Sequence, residues 1–403
     1  MEYSLSNRLK ITTYVMMALG LVAMIYGFMT DYSDHHNRFW GNFLVNGFFF
    51  FAISLGALFF LALQYAAEVA WSVTVKRIFE AIMGFIPYGA VIMMIAFITG
   101  TFHMHHVYHW MDPNLYIEFL EDGTANPLYD KIIAAKSAYL NQPFFWARSL
   151  VYLGTFFFFA RYFRNQSLLQ DQIGGSSMHF KTMGKAAIFL VMFAVFSSTL
   201  SWDWLMSIDT HWFSTLYGWY VFSGMWVTGL IVALILIVYL KNKGLLPEVN
   251  ENHIHDVAKW MFAISFLWSY LWFSQFMLIW YANIPEEIIY FRTRIAHYPI
   301  VFFGMFIVNF VFPMIILMSR DAKRNMIFFL PVACIIFIGH WFDVFCLVMP
   351  GVLGAHWHLG LLEIGMFVGF LGMFVRIVLT NLSKAPLMVE KHPLLDESIH
   401  HQV

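Results

Sequence analysis

Apolar runs long enough to cross a bilayer alternate with shorter polar segments along the whole chain. Ten such runs can be marked, at 13–31, 43–69, 79–101, 144–163, 186–208, 214–240, 260–283, 297–319, 326–349 and 358–380. A helix of about 20 apolar residues spans the hydrocarbon core, whereas a barrel strand needs about 10 that alternate in polarity. The pattern therefore predicts an all-α integral membrane protein, a single polytopic domain over residues 1–403 with about ten transmembrane helices.

The composition agrees with a chain embedded in a membrane. It is 12% charged, where a soluble globular protein carries about 25% charged residues. The net charge of −1 offers no electrostatic basis for binding nucleic acid. Cys334 and Cys346 are too few to ligate an iron–sulfur cluster and no C-x-x-C-H haem motif occurs, so we expect no cofactor and no metal in this chain. The first apolar run lacks a small-residue cleavage site, which favours a retained helix.

Lysine and arginine residues are distributed unevenly between the two sides of the predicted bundle. An even number of spans places both termini on one side. Of the 23 basic residues, 17 fall on the side of the termini and six on the other. The six are Arg38, Lys131, Lys136, Arg148, Arg292 and Arg294. The positive-inside rule therefore predicts cytoplasmic termini and places the longest connection, 102–143, outside.

Four ionisable residues lie at the midplane or in the outer halves of the predicted spans. At about 1.5 Å per helical residue, His340 is roughly 15 Å below the outer helix end. Asp203, Asp343 and Glu363 are roughly 8 to 10 Å deep by the same reckoning. Because an ionisable side chain inside a bilayer costs a few kcal/mol, such residues usually face a cavity. We therefore expect these four residues to line one polar pocket that opens outward.

His340 and Asp343 are three residues apart in one predicted helix and so share a helix face. An imidazole beside a carboxylate can accept protons near neutral pH. Quinol oxidation requires such a group, because each quinol gives up two protons with two electrons. The structural alternative for His340 is a buried histidine satisfied by a neighbouring helix. For Asp203 it is a cap on the next segment or a hydrogen bond from an indole N–H.

Further polar residues extend this candidate pocket toward the outer rim: Asp209, His211, Gln275, Glu286 and Glu287. Paired acids at such a rim could release protons to the outside. Asp209 could instead cap a helix that starts near Phe213, and Glu286 with Glu287 could be an ordinary solvated rim. On the opposite side Gln64, Glu68 and Glu80 stand out, and they are candidates for the inner half of a proton path.

The run His103–His109 holds four histidines at the edge of the outer connection. His105 and His109 would form an i,i+4 ligand pair if the run were helical. No cysteine or carboxylate pair is fixed beside them by spacing, which favours an interface or a protonatable loop over a metal site. His340 alone lies deep in the predicted spans, so a membrane haem held by two facing histidines is not expected.

Two long segments carry a resemblance to a known family. "SWDWLMSIDTHWFSTLYGWY" (201–220) and "FSQFMLIWYANIPEE" (273–287), together with the ten spans, resemble the F subunit of the bacterial alternative complex III. That complex is a quinol:cytochrome c oxidoreductase, and the subunit is similar to membrane proteins of the polysulfide-reductase or NrfD type. The resemblance covers nearly the whole chain. It implies a multi-pass protein of the bacterial inner membrane, with two four-helix bundles flanked by further helices.

The resemblance also implies partners that carry the electrons. They are a larger paralogous NrfD-like membrane subunit, a multihaem cytochrome c subunit, an iron–sulfur subunit related to molybdopterin enzymes, and small membrane and lipoprotein subunits. Haem c and the iron–sulfur clusters would lie on those partners, and quinol or menaquinol would be the substrate. This chain would then supply a quinol-binding or proton-conducting pocket on the periplasmic side, in contact with membrane lipids. The alternatives are a structural anchor without quinone, or a stand-alone ion or solute transporter.

Overall fold

In a computed structural model, the described part of the chain contains ten helices that are long and apolar enough to cross a membrane. The structure describes residues 3–319 and 326–402, and the side chains of all of these except 326–329. The ten spans are Asn7–Met29, Asp34–Ala66, Trp71–Thr101, Gln142–Ile173, Ser176–Ile208, Leu216–Asn242, Glu251–Ala282, Pro299–Leu317, Leu330–Leu353 and Leu361–Leu382. The predicted all-α membrane fold is confirmed in this respect.

Fifteen α-helices can be numbered along the part of the chain that the structure describes. They are α1 (Asn7–Met29), α2 (Asn37–Ala66), α3 (Lys76–Met83), α4 (Ile86–Thr101), α5 (Lys131–Ala135), α6 (Gln142–Ile173), α7 (Ser176–Trp204), α8 (Leu216–Asn242), α9 (Glu251–Ala282), α10 (Pro285–His297), α11 (Pro299–Phe306), α12 (Phe312–Leu317), α13 (Met326–Leu353), α14 (Leu361–Leu382) and α15 (Leu395–Ile399). The third span consists of α3 and α4, and the eighth of α11, a π-helical turn and α12.

Several helices extend beyond the apolar runs because capping side chains satisfy their first backbone N–H groups. The Asn141 side chain accepts a hydrogen bond from the N–H of Phe144 at the start of α6. Asn250 forms a capping box with His253 at the start of α9. Gly174, in a left-handed conformation that favours glycine, ends α6 well inside the polar connector that follows the fourth apolar run.

Helix α2 lies at the centre of the molecule. It packs against α3, α4, α7, α8, α13 and α14, and almost all of its side chains are buried. Small residues bring its backbone close to that of α8. A Cβ atom on Gly56 would lie 2.0 Å from the carbonyl oxygen of Met225. At the periphery α1 packs along α14.

Both termini lie at the same end of the bundle, here called the terminal face. The Tyr3 hydroxyl lies 3.4 Å from that of Tyr239 at the end of α8. His401 lies 2.7 Å from the Asp256 carboxylate at the start of α9. The opposite end, here called the loop face, carries the connection between α4 and α6. That connection is folded onto the bundle, since the Tyr108 hydroxyl donates to the Trp204 carbonyl at 2.9 Å.

Candidate functional site

Asp203 is fully buried at the end of α7, where it is paired with an arginine. Arg148 of α6 donates from Nε and Nη2 to the two carboxylate oxygens, each at 2.8 Å. The Tyr152 hydroxyl donates to Oδ2 at 3.1 Å. The Trp204 indole donates to Ser149 instead of Asp203. Asp203 therefore neither caps the next segment nor accepts from an indole N–H. It forms a bidentate ion pair with Arg148.

Glu363 is equally buried, in the first turn of α14. Arg38 donates to both carboxylate oxygens, at 2.8 and 2.7 Å. The Asn42 amide and the Gly360 backbone N–H donate one further hydrogen bond each, at 3.0 and 2.8 Å. With four donors and a compensating cation, this carboxylate is fully satisfied.

Asp209 is paired with a third arginine at the loop face. Arg294 of α10 donates from Nη2 to Oδ2 at 3.0 Å, and its other N–H groups donate to the carbonyls of Tyr290, Cys346 and Leu347. The Asp209 side chain remains 24% exposed. Helix α8 begins at Leu216 and not near Phe213, so Asp209 is not its cap.

Asp343 differs from these three carboxylates in its partners. The Tyr220 hydroxyl donates to Oδ1, and the Trp268 indole donates to Oδ2 at 2.8 Å. No lysine or arginine of the described chain pairs with it. His340, on the same face of α13, has Nδ1 at 3.6 Å from Oδ2. Asp343 is thus a buried carboxylate whose nearest titratable basic group is an imidazole.

His340 is 1% exposed, and neither of its ring nitrogens has a hydrogen-bond partner among the described residues. Its ring lies edge-on to Trp268, with 5.2 Å between centroids. A buried imidazole without partners is costly unless a water or a proton-transfer partner occupies the site. The predicted alternative of a histidine satisfied by a neighbouring helix is therefore not what we find.

A small cavity adjoins His340 and Asp343. The volume that the centre of a water molecule can occupy is about 20 Å³. Gly224 and Thr228 of α8 also line this cavity. A single water needs about 10 to 15 Å³, so the cavity accommodates one. Ligand pockets for organic molecules measure about 300 to 1,000 Å³, so a quinol ring does not fit here.

A second small cavity lies on the other side of Tyr220. It measures about 10 Å³ and is lined by Tyr220, Gln275, Tyr290, Arg294 and Cys346, among others. Gln275 is buried, with 4% of its surface exposed. From the interior to the loop face, the polar residues follow one another in the order His340, Asp343, Tyr220, Arg294 and Asp209.

The remaining predicted rim residues lie in water-accessible positions. His211 is half-exposed and its Nε2 lies 2.6 Å from the Asp130 carboxylate of the long connection. Glu286 and Glu287 occupy the first turn of α10, with Glu286 exposed and Glu287 partly so. This arrangement agrees with the solvated rim that the sequence left open for the two glutamates.

The three inner candidates divide between two sites near the terminal face. Gln64 lines a cavity of about 20 Å³ together with Lys76, His179 and His392. Glu68, four residues later in the sequence, has Oε1 at 3.9 Å from His179 Nε2. Ala52 of α2 lines the cavity of His340 and Leu61 lines this one. The two residues are nine positions apart, which is about 14 Å of mostly apolar helix.

Glu80 is fully buried and belongs to a separate ion cluster. It accepts from Arg77 Nη1 at 2.8 Å and from Arg164 Nη1 at 2.6 Å. Arg77 also pairs with Asp171. Two arginines therefore compensate the charge of Glu80. Its carboxylate contacts Arg164 of α6 and does not belong to the site of Gln64.

The four residues Asp203, His340, Asp343 and Glu363 thus occupy three separate sites where the sequence predicted one shared pocket. Asp203 is bound between α6 and α7, Glu363 between α2 and α14, and the pair of His340 and Asp343 between α8, α9 and α13. Arg148 and Arg38 bind Asp203 and Glu363 at these separate sites, whereas the sequence identifies the two arginines only as charges on the outer side. Their positions at the outer ends of spans, at similar depth to the acids, were the available signal.

In the histidine run, the structure shows individual roles. His105 lies outside any helix, so no i,i+4 pair with His109 forms. Its Nε2 lies 3.1 Å from the Ala96 carbonyl at the end of α4, and its Nδ1 accepts from the Val107 N–H at 3.3 Å. Burial lowers the pKa of His105 to about 4. His106 stacks on His35 at the surface, 4.1 Å between centroids.

These features define a multi-pass helical membrane protein with a buried histidine–carboxylate pair beneath its loop face. The chain matches no protein-family model and no curated protein. The resemblance to the alternative complex III subunit therefore depends on the segments 201–220 and 273–287. Those segments contain Asp203, Asp209, Tyr220 and Gln275, each of which lies at one of the separate sites described above.

Proposed function

We propose that this chain is the membrane subunit of a respiratory quinol:cytochrome c oxidoreductase of the alternative complex III type, and that His340 and Asp343 transfer protons in it. The observation that carries the proposal is the state of His340. It is buried, both ring nitrogens lack partners among the described residues, and it lies 3.6 Å from Asp343 beside a cavity for one water.

The chemistry of the pair suits proton transfer. A neutral imidazole accepts a proton from the adjacent water, and the Asp343 carboxylate stabilises the imidazolium that forms. The hydrogen bonds from Tyr220 and Trp268 hold the carboxylate in place without neutralising it. Asp203 and Glu363 are less suited, because an arginine already compensates each charge and donors occupy their oxygens.

A route toward the loop face supports the same function. The Tyr220 hydroxyl donates to Asp343, which lines the cavity of His340, and Tyr220 itself lines the second cavity together with Gln275 and Arg294. Arg294 contacts Asp209, whose side chain reaches water. A proton that leaves Asp343 can therefore reach the loop face through one hydroxyl, one or two waters and a surface carboxylate. Gln64 and Glu68 are the candidates for supply from the terminal face.

Partner subunits would hold the quinol and the electron carriers in this proposal. The cavities beside the titratable residues are of the size of single waters, which favours a proton path over a quinol site in this chain. The partners are those implied by the resemblance: the larger NrfD-like subunit, the multihaem cytochrome c subunit, the iron–sulfur subunit and the small membrane and lipoprotein subunits. The quinol would bind to the larger paralogue.

We also propose the membrane arrangement of the family. Helix packing supports two four-helix bundles, one of α2, α3–α4, α6 and α7 and the other of α8, α9, α11–α12 and α13, because neighbouring helices pack within each set. The helices α1 and α14 would flank them. The excess of basic residues at the terminal face supports a cytoplasmic position for it in a bacterial inner membrane, with the loop face periplasmic.

The test is carried out on the assembled complex from native membranes. We expect His340→Ala and Asp343→Asn to lower quinol:cytochrome c turnover about 100-fold, the lower range for loss of a proton-transfer group. Proton release at the loop face should fall in parallel. Glu286→Gln, which removes an exposed carboxylate on the same face, is the matched control and should leave both rates unchanged.

Co-purified haem c and iron, read from the visible spectrum and metal analysis, report whether the assembly is intact. Unchanged turnover of both variants in an intact assembly would exclude the proton role and leave a structural anchor. Isolation of the wild-type chain from native membranes as a colourless single species would exclude the complex itself and support a stand-alone transporter.

A further inference from the structure

A large cavity lies near the terminal face, away from the histidine–carboxylate pair. It measures about 450 Å³ and is bounded by the junction of α3 and α4, the second half of α6 and the end of α14. Its volume falls within the range of ligand pockets, which measure about 300 to 1,000 Å³. The cavity is therefore large enough for a part of an organic molecule, unlike the two small outer cavities.

The break between α3 and α4 shapes this cavity. Helix α3 ends at Met83, and Pro87 stands in the first turn of α4, where it has no N–H to donate to the preceding turn. Gly84 at the junction leaves no side chain between α3 and α14, and a Cβ there would lie 2.3 Å from Asn381 Nδ2. The junction thus forms an indentation that faces α6.

The cations in the wall are only partly compensated. Arg164 is paired with Glu80, and Arg77 behind it is shared between Glu80 and Asp171, so these four charges balance. Two further cations, Arg161 and Lys384, also line the cavity. Both are exposed, and neither forms an ion pair with a carboxylate of the described chain. The cavity therefore has an excess of two positive charges.

The other wall of the cavity is apolar and continuous with the membrane-facing surface. Phe157, Arg161, Arg164 and Leu168 are spaced by three or four residues along α6 and so form one stripe. Phe157 and Tyr88, at the end of the cavity toward the centre of the membrane, are 45% and 49% exposed. The cavity is thus basic near the terminal face and apolar toward the bilayer.

We propose that this cavity binds an anionic phospholipid, with its phosphate between Arg161 and Lys384 and one acyl chain along Phe157 and Tyr88. Basic pockets between transmembrane helices bind the head groups of acidic lipids in this way. The Asn165 amide lines the same wall and can donate to phosphate or glycerol oxygens, and the Asn381 side chain accepts from Lys384 Nζ at 3.1 Å, which holds that ammonium at the cavity. A free anion would satisfy the cations but would leave the apolar wall unfilled.

The experiment uses the full-length chain in detergent and native mass spectrometry. Phosphatidylglycerol should bind at one saturable site, and phosphatidylcholine, which has no net charge, should bind much more weakly. The double variant Arg161→Gln, Lys384→Gln should lower phosphatidylglycerol affinity about 30-fold, since each cation near a membrane surface contributes about 1 kcal/mol. Both residues are exposed, so the variant is expected to fold.

The matched control is Lys181→Gln, Lys185→Gln, which removes the same charge from exposed positions of α7 on the terminal face. It should bind phosphatidylglycerol as the wild type does. Equal affinities of the two double variants would overturn the proposal. So would displacement of the lipid by millimolar inorganic phosphate, which would show a free-anion site. A photoactivatable phosphatidylglycerol should label peptides that contain Tyr88 or Phe157, and labelling elsewhere alone would also contradict it.

Discussion

At the scale of single residues, the buried acids of the outer half are divided between two kinds of environment. Asp203 and Glu363 have arginine partners and accept several hydrogen bonds, whereas the donors to Asp343 among the described residues are the Tyr220 phenol and the Trp268 indole. Desolvation of a buried ion pair offsets most of its attraction, but removal of one partner leaves the other charge uncompensated. The arginine-bound acids are therefore structural, and mutation should affect folding before it affects chemistry.

The pair of Asp203 and Arg148 tests this division. We expect Asp203→Asn to lower the free energy of unfolding by about 3 kcal/mol, because Arg148 is left with its charge in a largely buried position. The double variant Asp203→Leu, Arg148→Met should lose less than Asp203→Asn alone. Unfolding in mixed micelles measures both. A double variant that is less stable than Asp203→Asn would contradict this account of the pair.

Low pH should destabilise the contact by which His105 holds the long connection against the end of α4. Its pKa is about 4 in the folded chain, below the value of about 6.5 for a free histidine, because it is buried. The unfolded chain therefore binds the proton first, so this contribution is intact above pH 6.5 and is lost as the pH falls toward 4. We expect a loss of about 2 kcal/mol between pH 7 and pH 5.

His105→Gln removes this titration and is the comparison for that prediction. Thermal unfolding in detergent at pH 7 and pH 5 should show a smaller difference for the variant than for the wild type. His392 titrates in the same direction, since burial lowers its pKa to about 2, and it supplies a background common to both proteins. An equal pH dependence of variant and wild type would exclude His105 as the source.

The sequence predicted the burial of these residues but not their partners. The depth of Asp203, Glu363 and His340 follows from the position of each residue along its own helix, which periodicity and length determine. The partners Arg148 and Arg38 lie on other helices, and their contacts depend on how those helices pack. A single sequence carries no information on that packing, so the division into separate sites could not be predicted.

At the scale of helices, small residues determine which helices pack closely. Gly20, Ala23 and Gly27 of α1 face Gly369, Gly365 and Leu362 of α14, respectively. Stripes of small residues allow transmembrane helices to approach closely and gain van der Waals contact, which replaces the hydrophobic effect as the driving force in lipid. The sequence predicted the helices themselves, whereas α10, a helix in the connection after α9, was not predicted because it is short and mostly polar.

Gly369→Ala should separate α1 from α14. A Cβ at that position would lie 2.7 Å from the Gly20 Cα, and backbone at both positions cannot move aside easily. We expect a loss of about 1 to 3 kcal/mol, the usual cost of overpacking, measured as the unfolding free energy in micelles. Gly154→Ala on α6 is the control, because its Cβ would meet open space. Equal stability of the two variants would contradict the close approach.

At the scale of the whole molecule, the arginines of the loop face are largely committed to internal pairs. Of the six basic residues on that side, Arg38, Arg148 and Arg294 each compensate a carboxylate. Cations of the terminal face, among them Arg161, Lys181 and Lys185, are exposed to the surroundings. The difference in free positive charge between the two ends is therefore larger than the sequence count indicates.

This difference predicts the orientation of the chain in its membrane. In a background in which Cys334 and Cys346 are alanine, a membrane-impermeant maleimide should label Asp122→Cys in intact cells. It should label Lys181→Cys only after the membrane is permeabilised. Labelling of Lys181→Cys in intact cells would reverse the orientation and place the route from His340 toward the cytoplasm.

The pairing of α1 with α14 has a consequence for biosynthesis. Helix α1 buries few of its own side chains and ends at Met29, whereas its glycine-lined partner α14 begins only at Leu361. A nascent α1 must therefore remain in lipid, without its neighbour, until the residues between the two helices have been synthesised. A chain truncated before α14 would leave the small-residue stripe of α1 exposed to other membrane proteins and to quality-control proteases.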